Sequence, residues 1–331
     1  MRRSSEVKFG MFMSILSSSD IPASPSSRLR PFDAHRDLGA IADLVELCFA
    51  DTLDESGRSY VRRMRSAARS SSLFGWSAMS MGGFVWEQDG RLVGNVTLIP
   101  FAARGKRNTL IANVAVHPEY RRQGIARGLT NQAVEFARQQ GVKSVWLHVR
   151  EENSAAVTLY RSLGFTERLR RTSWMSSSES AQVAKLPGVA LGAPRSREWE
   201  LQRRWLAGNY PPEISWQSSL NLETLRPGLW GALYRFFYSL FTLQWSAWKG
   251  NMLVASVSWQ ASMGLANNLW LAAPPEADET ILRLLLAYAR RQAPSKRALE
   301  LDYPARQSSQ AIREAGFVEQ HTLIWMELPF S

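Results

Sequence analysis

Residues 114–126, Val-Ala-Val-His-Pro-Glu-Tyr-Arg-Arg-Gln-Gly-Ile-Ala, decide the fold of this chain. They begin as an apolar strand, continue as a basic loop and run into a helix that opens near Ile125. The first N–H groups of a helix have no intrahelical partner and carry the positive end of its dipole. Gly124 lets the backbone approach a ligand, and Arg121 and Arg122 add charge-assisted bonds to phosphate. The stretch therefore predicts a binding site for a pyrophosphate.

The segments after this loop follow a regular order. Residues 128–140 have helical spacing, and Gly141 stands where a helix-ending glycine is expected. An apolar strand follows at 144–149, and a short helix at 153–163 is ended by Gly164 before the next strand. The order is thus strand, loop, helix, strand, helix, strand.

The residues before the loop predict further elements of one sheet. Arg28–Phe32 is a first strand and Asp37–Phe49 a helix. Gly83–Glu87 and Leu92–Pro100 form a hairpin that turns at Asp89-Gly90, a dipeptide typical of two-residue hairpin turns. Strands and helices therefore mix along the chain, which indicates an α/β (α+β) fold.

The order of strand, Arg-x-x-Gly-x-Ala loop, helix, strand and Asn-x-x-Ala-x-x-Leu-Tyr-x-x-x-Gly-Phe resembles the GNAT superfamily of N-acetyltransferases. Residues 114–165 cover the acetyl-coenzyme A half of that fold without a gap. Within the superfamily, residues 111–124 look closest to the acetylases of protein N-termini, a likeness that concerns the cofactor site and not the acceptor. The resemblance implies a mixed, mostly antiparallel sheet flanked by helices.

The resemblance also implies where acetyl-coenzyme A binds. Its pantetheine would lie along residues 114–116 and its pyrophosphate on the backbone of residues 121–126. No metal is expected. The implied cofactor-binding residues are Val114, Ala115, Val116, Arg121, Arg122, Gln123, Gly124, Ile125, Ala126, Asn153, Ala156 and Tyr160.

Acetyl transfer needs a proton acceptor and a proton donor. An alkyl ammonium with a pKa near about 10 must lose a proton before it attacks the thioester, and the leaving thiolate must gain one. By resemblance Tyr160 is the acid, because the family places this tyrosine near the coenzyme sulfur. Its structural alternative is packing at the end of a short helix.

The base is less clearly marked. The N-terminal acetylases have a glutamate before the Val-Arg of the fifth strand, whereas this chain has His148 there, a departure that weakens the analogy. With a reference pKa of about 6.5, histidine is a competent base and predicts an activity limb near pH 6–7. His148 as base and His148 as a bystander strand residue both stay open, with Glu151, Glu152 or a water-mediated route in reserve.

The second half of the chain repeats the first. Phe136–Gln140 and Tyr288–Gln292 align at an offset of 152 residues, and Arg161–Glu167 and Arg313–Glu319 align at the same offset. The chain therefore predicts two tandem GNAT-like units, called the first and second copy below. The predicted domains are a disordered tail at 1–27, a catalytic domain at 28–177 and a degenerate domain at 178–331.

The two copies are chemically unequal. Strand Leu269–Leu271 corresponds to the strand at 114–116, but the loop after it, Pro274–Glu279, is shorter and carries two prolines and three acidic residues. Prolines remove N–H donors, and carboxylates repel a pyrophosphate. Ala305 stands for the asparagine and Ile312 for the tyrosine of the first copy. The second copy thus predicts no cofactor site, and one acetyl-coenzyme A per chain.

Composition narrows the classes of partner. The 331 residues include 40 Lys or Arg and 29 Asp or Glu, a formal charge of +11, part of which coenzyme A would balance. No zinc-finger spacing or RNP-type motif accompanies the charge, which argues against nucleic acid. The clusters Arg62–Arg65 and Arg168–Arg171 are interpreted as solvated surface. The single cysteine, Cys48, excludes a disulfide framework and is interpreted as a small core residue.

Two segments indicate where in the cell the protein is expected. The tail at 1–27 is predicted to be disordered and not a signal peptide. Leu229–Trp248 is apolar but divides into a helix, Trp230–Phe241, and a strand, Leu243–Trp248, so no membrane span is predicted. A cytoplasmic protein is expected. Nine of the 13 tryptophans lie in the second half, in core and interface packing or walling an acceptor cleft.

These features predict an N-acetyltransferase that moves acetyl from acetyl-coenzyme A to a primary amine of a small molecule or of a peptide or protein N-terminus, by direct acid/base-assisted attack. The first alternative is a non-catalytic acyl-coenzyme A-binding tandem protein, and the second is a basic nucleic-acid-associated protein. Aminoglycoside, polyamine, amino acid, small peptide and protein N-terminus all stay open as acceptors. The oligomeric state also stays open, with a monomer consistent with two copies in one chain.

Overall fold

The computed structural model describes part of the chain, and every structural statement below concerns those residues: 27–51, 53, 55–69, 82–178, 186–216, 220–228, 241–262, 264–294 and 297–330. The chain divides into two compact bodies. The first consists of Met1–Pro100 and Thr109–Val145, and the second of Phe101–Asn108 and Trp146–Ser331. This division by contacts differs from the domains expected at 28–177 and 178–331, which rest on function and stay a prediction.

The first body contains the strand order β1-β2-β3-β4 with three helices. β1 pairs antiparallel with β2, and β2 with β3. The β2–β3 turn falls at Asp89 and Gly90, both with positive φ (51° and 74°), as the sequence predicts. The elements of this part are β1 Ser27–Pro31, α1 Ala34–Phe49, α2 Glu55–Arg69, β2 Gly82–Gln88, β3 Arg91–Ala103, β4 Lys106–Val116, a 3₁₀ turn Pro118–Tyr120 and α3 Ile125–Gln139.

Close packing against the sheet fixes the position of α3. A Cβ added at Gly94 of β3 would lie 2.8 Å from Ile125 Cγ2, and one added at Gly128 would lie 2.8 Å from the Trp86 ring. Only glycine allows such an approach of backbone to side chain. Leu129, fully buried, anchors the same face of the helix. The start of α3 is therefore held rigidly at the end of the loop that follows β4.

The second body holds the strand order β5-β12-β6-β11-β10-β9-β8-β7. Strand–helix–strand–helix–strand recurs in it as β10, α7, β11, α8 and β12, which confirms the repeated architecture. Its elements are β5 Ser144–Arg150, α4 Ser154–Ser162, β6 Thr166–Ser176, β7 Val189–Gly192, a 3₁₀ turn Ser196–Glu198, α5 Trp199–Asn209, α6 Pro212–Ser215, a 3₁₀ turn Leu222–Leu225, β8 Thr242–Lys249, β9 Met252–Gln260, β10 Asn267–Ala272, α7 Glu279–Gln292, β11 Leu299–Pro304, α8 Ser309–Glu314 and β12 Phe317–Pro329.

The last strands of the two copies are exchanged. β6, the last strand of the first copy, lies between β11 and β12 and pairs antiparallel with both. β12, the last strand of the second copy, lies between β5 and β6, and Glu151 N donates to Thr322 O over 2.9 Å. Each copy is thus completed by a strand of the other, an arrangement that the sequence did not predict.

The strand expected at Leu243–Trp248 is β8, whereas the helix expected at Trp230–Phe241 falls almost wholly outside the described residues, as does the tail at 1–27. None of the described helices is long and apolar enough to cross a membrane. Arg171, expected at the surface, is instead buried, with its side chain 3% exposed and paired to Asp302 over 3.0 Å. The expectation of a solvated Arg168–Arg171 cluster was wrong for this residue, because β6 is an interior strand of the sheet.

Candidate functional site

A bend in β4 precedes the predicted pantetheine segment. Asn113 has a φ of 51°, in the left-handed region, and its carbonyl accepts a hydrogen bond of 2.9 Å from Asn95 Nδ2 on β3. Asn95 is buried, so this hydrogen bond holds the distorted backbone of Asn113 in place. Immediately after it, Val114 and Val116 are half-buried and Ala115 lies in the core. The sequence offered no signal for this bend beyond an asparagine inside an apolar strand.

Two side chains donate hydrogen bonds to the carbonyl oxygen of Val116. It accepts from Cys48 Sγ over 3.2 Å and from Arg121 Nε over 3.3 Å. Burial raises the pKa of the Cys48 thiol above its ordinary value, so the sulfur is protonated at neutral pH and is not a nucleophile. Arg121 folds back on its own strand, and Arg122 and Gln123 are exposed.

The start of α3 is open to an anion. Gly124 is the N-cap with a φ of 81°, no side chain caps the helix, and its first turn has no acidic residue. A Cβ added at Gly124 would meet nothing within 4 Å, so open space lies in front of the backbone. Arg122 is also left-handed, with a φ of 65°. Loop and helix therefore offer backbone donors with no protein group in the way.

The corresponding helix of the second copy is closed. Asp278 is the N-cap of α7, and its carboxylate accepts from Thr280 N over 3.0 Å and from Ile281 N over 3.3 Å. Glu279 adds a second negative charge in the first turn and accepts from Ala311 N over 2.9 Å. Two of the free donors of α7 are thus satisfied by this chain's own carboxylate.

Side chains also occupy the edge of β10, the strand that corresponds to the pantetheine segment. Asn209 Nδ2 donates to Leu271 O (3.3 Å) and Ala273 O (3.1 Å), and Leu271 N donates to the Tyr210 hydroxyl over 3.0 Å. Both side chains come from the end of α5 and are buried. Sequence reasoning missed this pair, since nothing in residues 199–210 points to a strand 60 residues away.

Asn153 begins α4. Its Oδ1 accepts from Ala156 N over 3.1 Å, and its side chain is exposed. This is an ordinary N-cap bond, which satisfies one free donor of the helix. In the structure the Asn153 side chain and the Ala156 N–H therefore form this hydrogen bond with each other, and both residues are implied as cofactor-binding.

Tyr160 lies on the buried face of α4. The residue is 7% exposed, and its ring packs edge-on against Phe165 with centroids 6.1 Å apart. Burial raises the pKa of Tyr160 to about 12, so the hydroxyl keeps its proton at neutral pH. No described residue forms a hydrogen bond with this hydroxyl. Tyr160 is thus a protonated group with an unused donor.

His148 lies against the exchanged strand β12. Its ring is 4.9 Å from the ring of Trp325, and burial, followed by the charge of His321, lowers the pKa of His148 to about 4. The ring is therefore neutral at pH 7 and can accept a proton, but it is a weak base. A proton transfer near pH 6–7, expected from the reference pKa, is no longer expected from this side chain.

The two glutamates held in reserve are engaged in ion pairs. Glu151 accepts from Arg306 over 2.8 Å and from Arg170. Glu152 lies 3.4 Å from Arg150. In the described part of the chain, no group of three His, Cys, Asp or Glu side chains could hold a metal ion.

The predicted site residues fall into both compact bodies. The first body contains the strand, loop and helix start of residues 114–126. The second carries the proton-transfer candidates His148 and Tyr160, with the capping pair Asn153 and Ala156. Each group has the local geometry described above.

Part of the chain matches a known protein family. Residues 42–165 match the Acetyltransferase (GNAT) family. This part of the chain is therefore a GNAT domain, and the resemblance drawn from residues 114–165 is confirmed.

Individual proteins agree with this family. The [Ribosomal protein bS18]-alanine N-acetyltransferase of Escherichia coli (strain K12) is 39% identical over 72 residues, 22% of this chain and 49% of that protein. The mycothiol acetyltransferase of Thermobispora bispora is 35% identical over 142 residues, 42% of this chain and 46% of that protein. The chain spans about half the length of these curated relatives.

A solved structure extends the likeness along the chain. The tandem GNAT protein from the clavulanic acid biosynthesis pathway has a TM-score of 0.50 and 17% identity, covering 92% of this chain and 98% of that one. At this identity the likeness concerns the fold alone. It confirms the expected α/β architecture of two tandem GNAT-like units.

Proposed function

We propose that the protein transfers acetyl from acetyl-coenzyme A to a primary amine of a small molecule or of a peptide or protein N-terminus. One observation carries the proposal: the start of α3 is uncapped and free of acid, whereas the start of α7 is capped by Asp278. Within one chain, one copy keeps its helix donors for a ligand and the other satisfies them internally. The GNAT family uses acetyl-coenzyme A.

In this proposal the pyrophosphate lies on the backbone of Arg121–Ala126 and the pantetheine along Val114–Val116. Arg122 and Gln123, both exposed, supply side-chain contacts to the phosphates. The second copy binds no acetyl-coenzyme A, because Asp278 occupies the helix donors and Asn209 occupies the strand carbonyls. One molecule per chain is expected.

The reaction forms a carbon–nitrogen bond and breaks the carbon–sulfur bond of the thioester. Tyr160 is the proposed acid, since its hydroxyl is protonated and lacks a partner in the described part of the chain. It would give its proton to the departing thiolate. His148, neutral above pH 4, is the proposed acceptor of the amine proton, with water as the other route.

The acceptor is the open part of the proposal. One relative acts on the alanine of ribosomal protein bS18, by its name, and matches over 72 residues. The mycothiol acetyltransferase matches over 142 residues. A panel should therefore contain peptides with N-terminal alanine and small amines such as amino sugars, polyamines and amino acids. We also propose a cytoplasmic protein, and its oligomeric state stays open.

Release of free coenzyme A with this panel tests the proposal. Tyr160→Phe should lower turnover about 10²-fold or more while leaving the affinity for acetyl-coenzyme A nearly intact, because only the hydroxyl is lost. Tyr120→Phe, on the 3₁₀ turn, is a control that should keep turnover. Equal turnover of Tyr160→Phe and the wild type would remove Tyr160 from the mechanism.

A second candidate function is an acyl-coenzyme A-binding protein without turnover. It is favoured by the base position, where His148 has a pKa of about 4 and the neighbouring Glu151 is paired with two arginines. Tight binding of acetyl-coenzyme A with no release of thiol across the amine panel would support this candidate over the enzyme.

A further inference from the structure

The second body contains a cleft at the carboxyl ends of β10 and β11. The two strands pair in parallel at their amino ends, at Asn267–Leu299 and Asn268–Glu300. Beyond the strands, the cleft lies among Pro275 after β10, Gln307 after β11 and the end of α5. Its volume is about 390 Å³, within the range of about 300–1,000 Å³ typical of small-molecule sites.

Much of the wall is apolar. The indole of Trp205 and the rings of Pro211 and Pro275 line the cleft, and Gly208 leaves it open along α5. A Cβ added at Gly208 would meet nothing within 4 Å. The cleft therefore suits a ligand with a flat or bulky apolar part that can pack on the indole.

The charges of the cleft are positive, and one of them has no partner among the described residues. The described residues that line it include three arginines and no carboxylate. Arg170 pairs with Glu151 and Glu167, and Arg171 pairs with Asp302.

Arg204, exposed on α5, has no hydrogen-bond or ion-pair partner among the described residues. A guanidinium presents a planar fork that matches a carboxylate. The Arg204 guanidinium, without a partner among the described residues, is therefore complementary to a ligand with one anionic group.

The cleft does not reproduce the cofactor position of the first copy. The donors at the start of α7 are taken by Asp278, and Glu279 adds another negative charge. The β10 carbonyls that could receive an amide chain are bonded to Asn209. Phosphate groups at the start of α7, which does not line the cleft, would face acid where the first copy offers free N–H groups.

A turn with left-handed backbone conformations surrounds Gln307, one of the residues that line the cleft. Arg306 and Ser308 have φ values of 66° and 52°, in the left-handed region, on either side of Gln307. The Ser308 hydroxyl is buried and has no hydrogen-bond partner in the described part of the chain. Such conformations cost free energy and occur preferentially at ligand sites. Gln307, which also donates to the Tyr303 hydroxyl over 3.4 Å, is thereby presented to the cleft.

The geometry points to a binding site for a small monocarboxylate with an aromatic or aliphatic part, with Arg204 binding the carboxylate and Trp205 packing on the apolar part. The site is independent of the proposed acetyl transfer. It gives the second copy a ligand of its own in place of the lost cofactor.

Calorimetry and ligand-observed NMR on the full chain test the site. The probes are phenylacetate, 3-phenylpropionate and indole-3-acetate, with 2-phenylethanol as the uncharged analogue, and acetate and inorganic phosphate as anions without an apolar part. An aromatic carboxylate should bind at least about tenfold more tightly than any of the three controls, because only it satisfies both the guanidinium and the indole. Saturating acetyl-coenzyme A should leave this binding unchanged.

Two variants locate the binding. Arg204→Gln should weaken it roughly 10- to 100-fold, the range for a lost charge-assisted bond. Arg203→Gln is the matched control: it lies on the same helix, pairs with Glu200 over 2.8 Å and does not line the cleft, so affinity should be kept.

Gly208→Leu should fill the cleft and abolish binding while keeping the thermal midpoint, since the new side chain enters open space and leucine favours helix. These variants leave residues 114–126 and Tyr160 intact, so acetyl transfer is a separate readout.

Three results would overturn the proposal: no carboxylate bound by the wild-type protein up to about 10 mM, equal losses in the two arginine variants, or unchanged binding in a folded Gly208→Leu protein. Equal affinity for 2-phenylethanol and phenylacetate would also overturn it, because the guanidinium would then have no role. Competition by acetyl-coenzyme A would show a cofactor site instead.

Discussion

The hydroxyl oxygens of Thr172 and Thr322 lie 2.8 Å apart inside the sheet, although the two residues are 150 positions apart in the chain. Thr172 is on β6 and Thr322 on β12, the last strands of the two copies, and the two residues are register partners. The bond therefore joins the exchanged strands at their buried centre. The first copy cannot be removed from the second without opening this pair.

The threonine pair predicts a measurable coupling. Thr172→Val and Thr322→Val should each lower the free energy of unfolding by about 1–3 kcal/mol, because the buried hydrogen bond between the two hydroxyls is lost. The double variant should cost less than the sum, since no hydroxyl remains unpaired. Urea unfolding measures all three. Thr166→Val at the exposed start of β6 is the control and should change stability by less than about 0.5 kcal/mol.

The strand exchange predicts the behaviour of a fragment. A protein of residues 28–177 lacks β11 and β12, so both edges of β6 lose their partners. It should be poorly soluble, or bind acetyl-coenzyme A and acetylate poorly. Soluble yield and light scattering test this, and co-expression of residues 178–331 should restore solubility. A soluble, fully active fragment would contradict the expectation.

The open start of α3 predicts the effect of a charge at Gly124. Gly124→Glu should abolish acetyl-coenzyme A binding in calorimetry, because a carboxylate would stand where the phosphates are expected. Gly90→Glu is the matched control in a hairpin turn, with a φ of 74° against 81° and the same open space around a Cβ. Both variants carry a strain of about 1–2 kcal/mol, and only the first should lose the ligand. Two equivalent sites per wild-type chain would disprove the unequal copies.

The lowered pKa of His148 predicts a pH dependence of stability. The pKa is about 4 in the folded protein and about 6.5 in the unfolded one, so between these values the unfolded state binds a proton that the folded state does not. Stability should therefore fall as the pH falls from about 6.5 to 4, by at most about 3 kcal/mol from this residue. His148→Gln should remove that fall in urea unfolding.

The variant of exposed His35, His35→Gln, is the control and should keep the wild-type slope. In the activity profile, a limb due to His148 should lie near pH 4 and not near pH 6–7. A limb near pH 6–7 that disappears in His148→Gln would contradict the lowered pKa.

The order of elements could be predicted from the sequence because its signals are local. The turn at Asp89-Gly90, the helix start at Ile125 and the helix end before Gly141 each depend on a few adjacent residues. The unequal helix starts were also visible, since acidic residues at 276–279 and their absence at 125–128 are properties of the chain itself.

The strand exchange could not be predicted, because β6 and β12 follow similar patterns and either could complete either copy. The pKa of His148 depends on that exchange, as Trp325 and His321 both come from β12. The same is true of Arg171, whose burial follows from the strands on both sides of β6. The positions of Asn209 and Tyr210 on β10 are likewise contacts between distant segments.

Exchange within one chain also changes how the protein responds to dilution. Two separate chains that traded strands would dissociate as their concentration fell, and their stability would depend on mass action. Here the connecting segment holds β6 and β12 at a fixed effective concentration, whatever the number of molecules in the cell. The two copies are also always made in equal amounts, so neither β6 nor β12 lacks the strands with which it pairs.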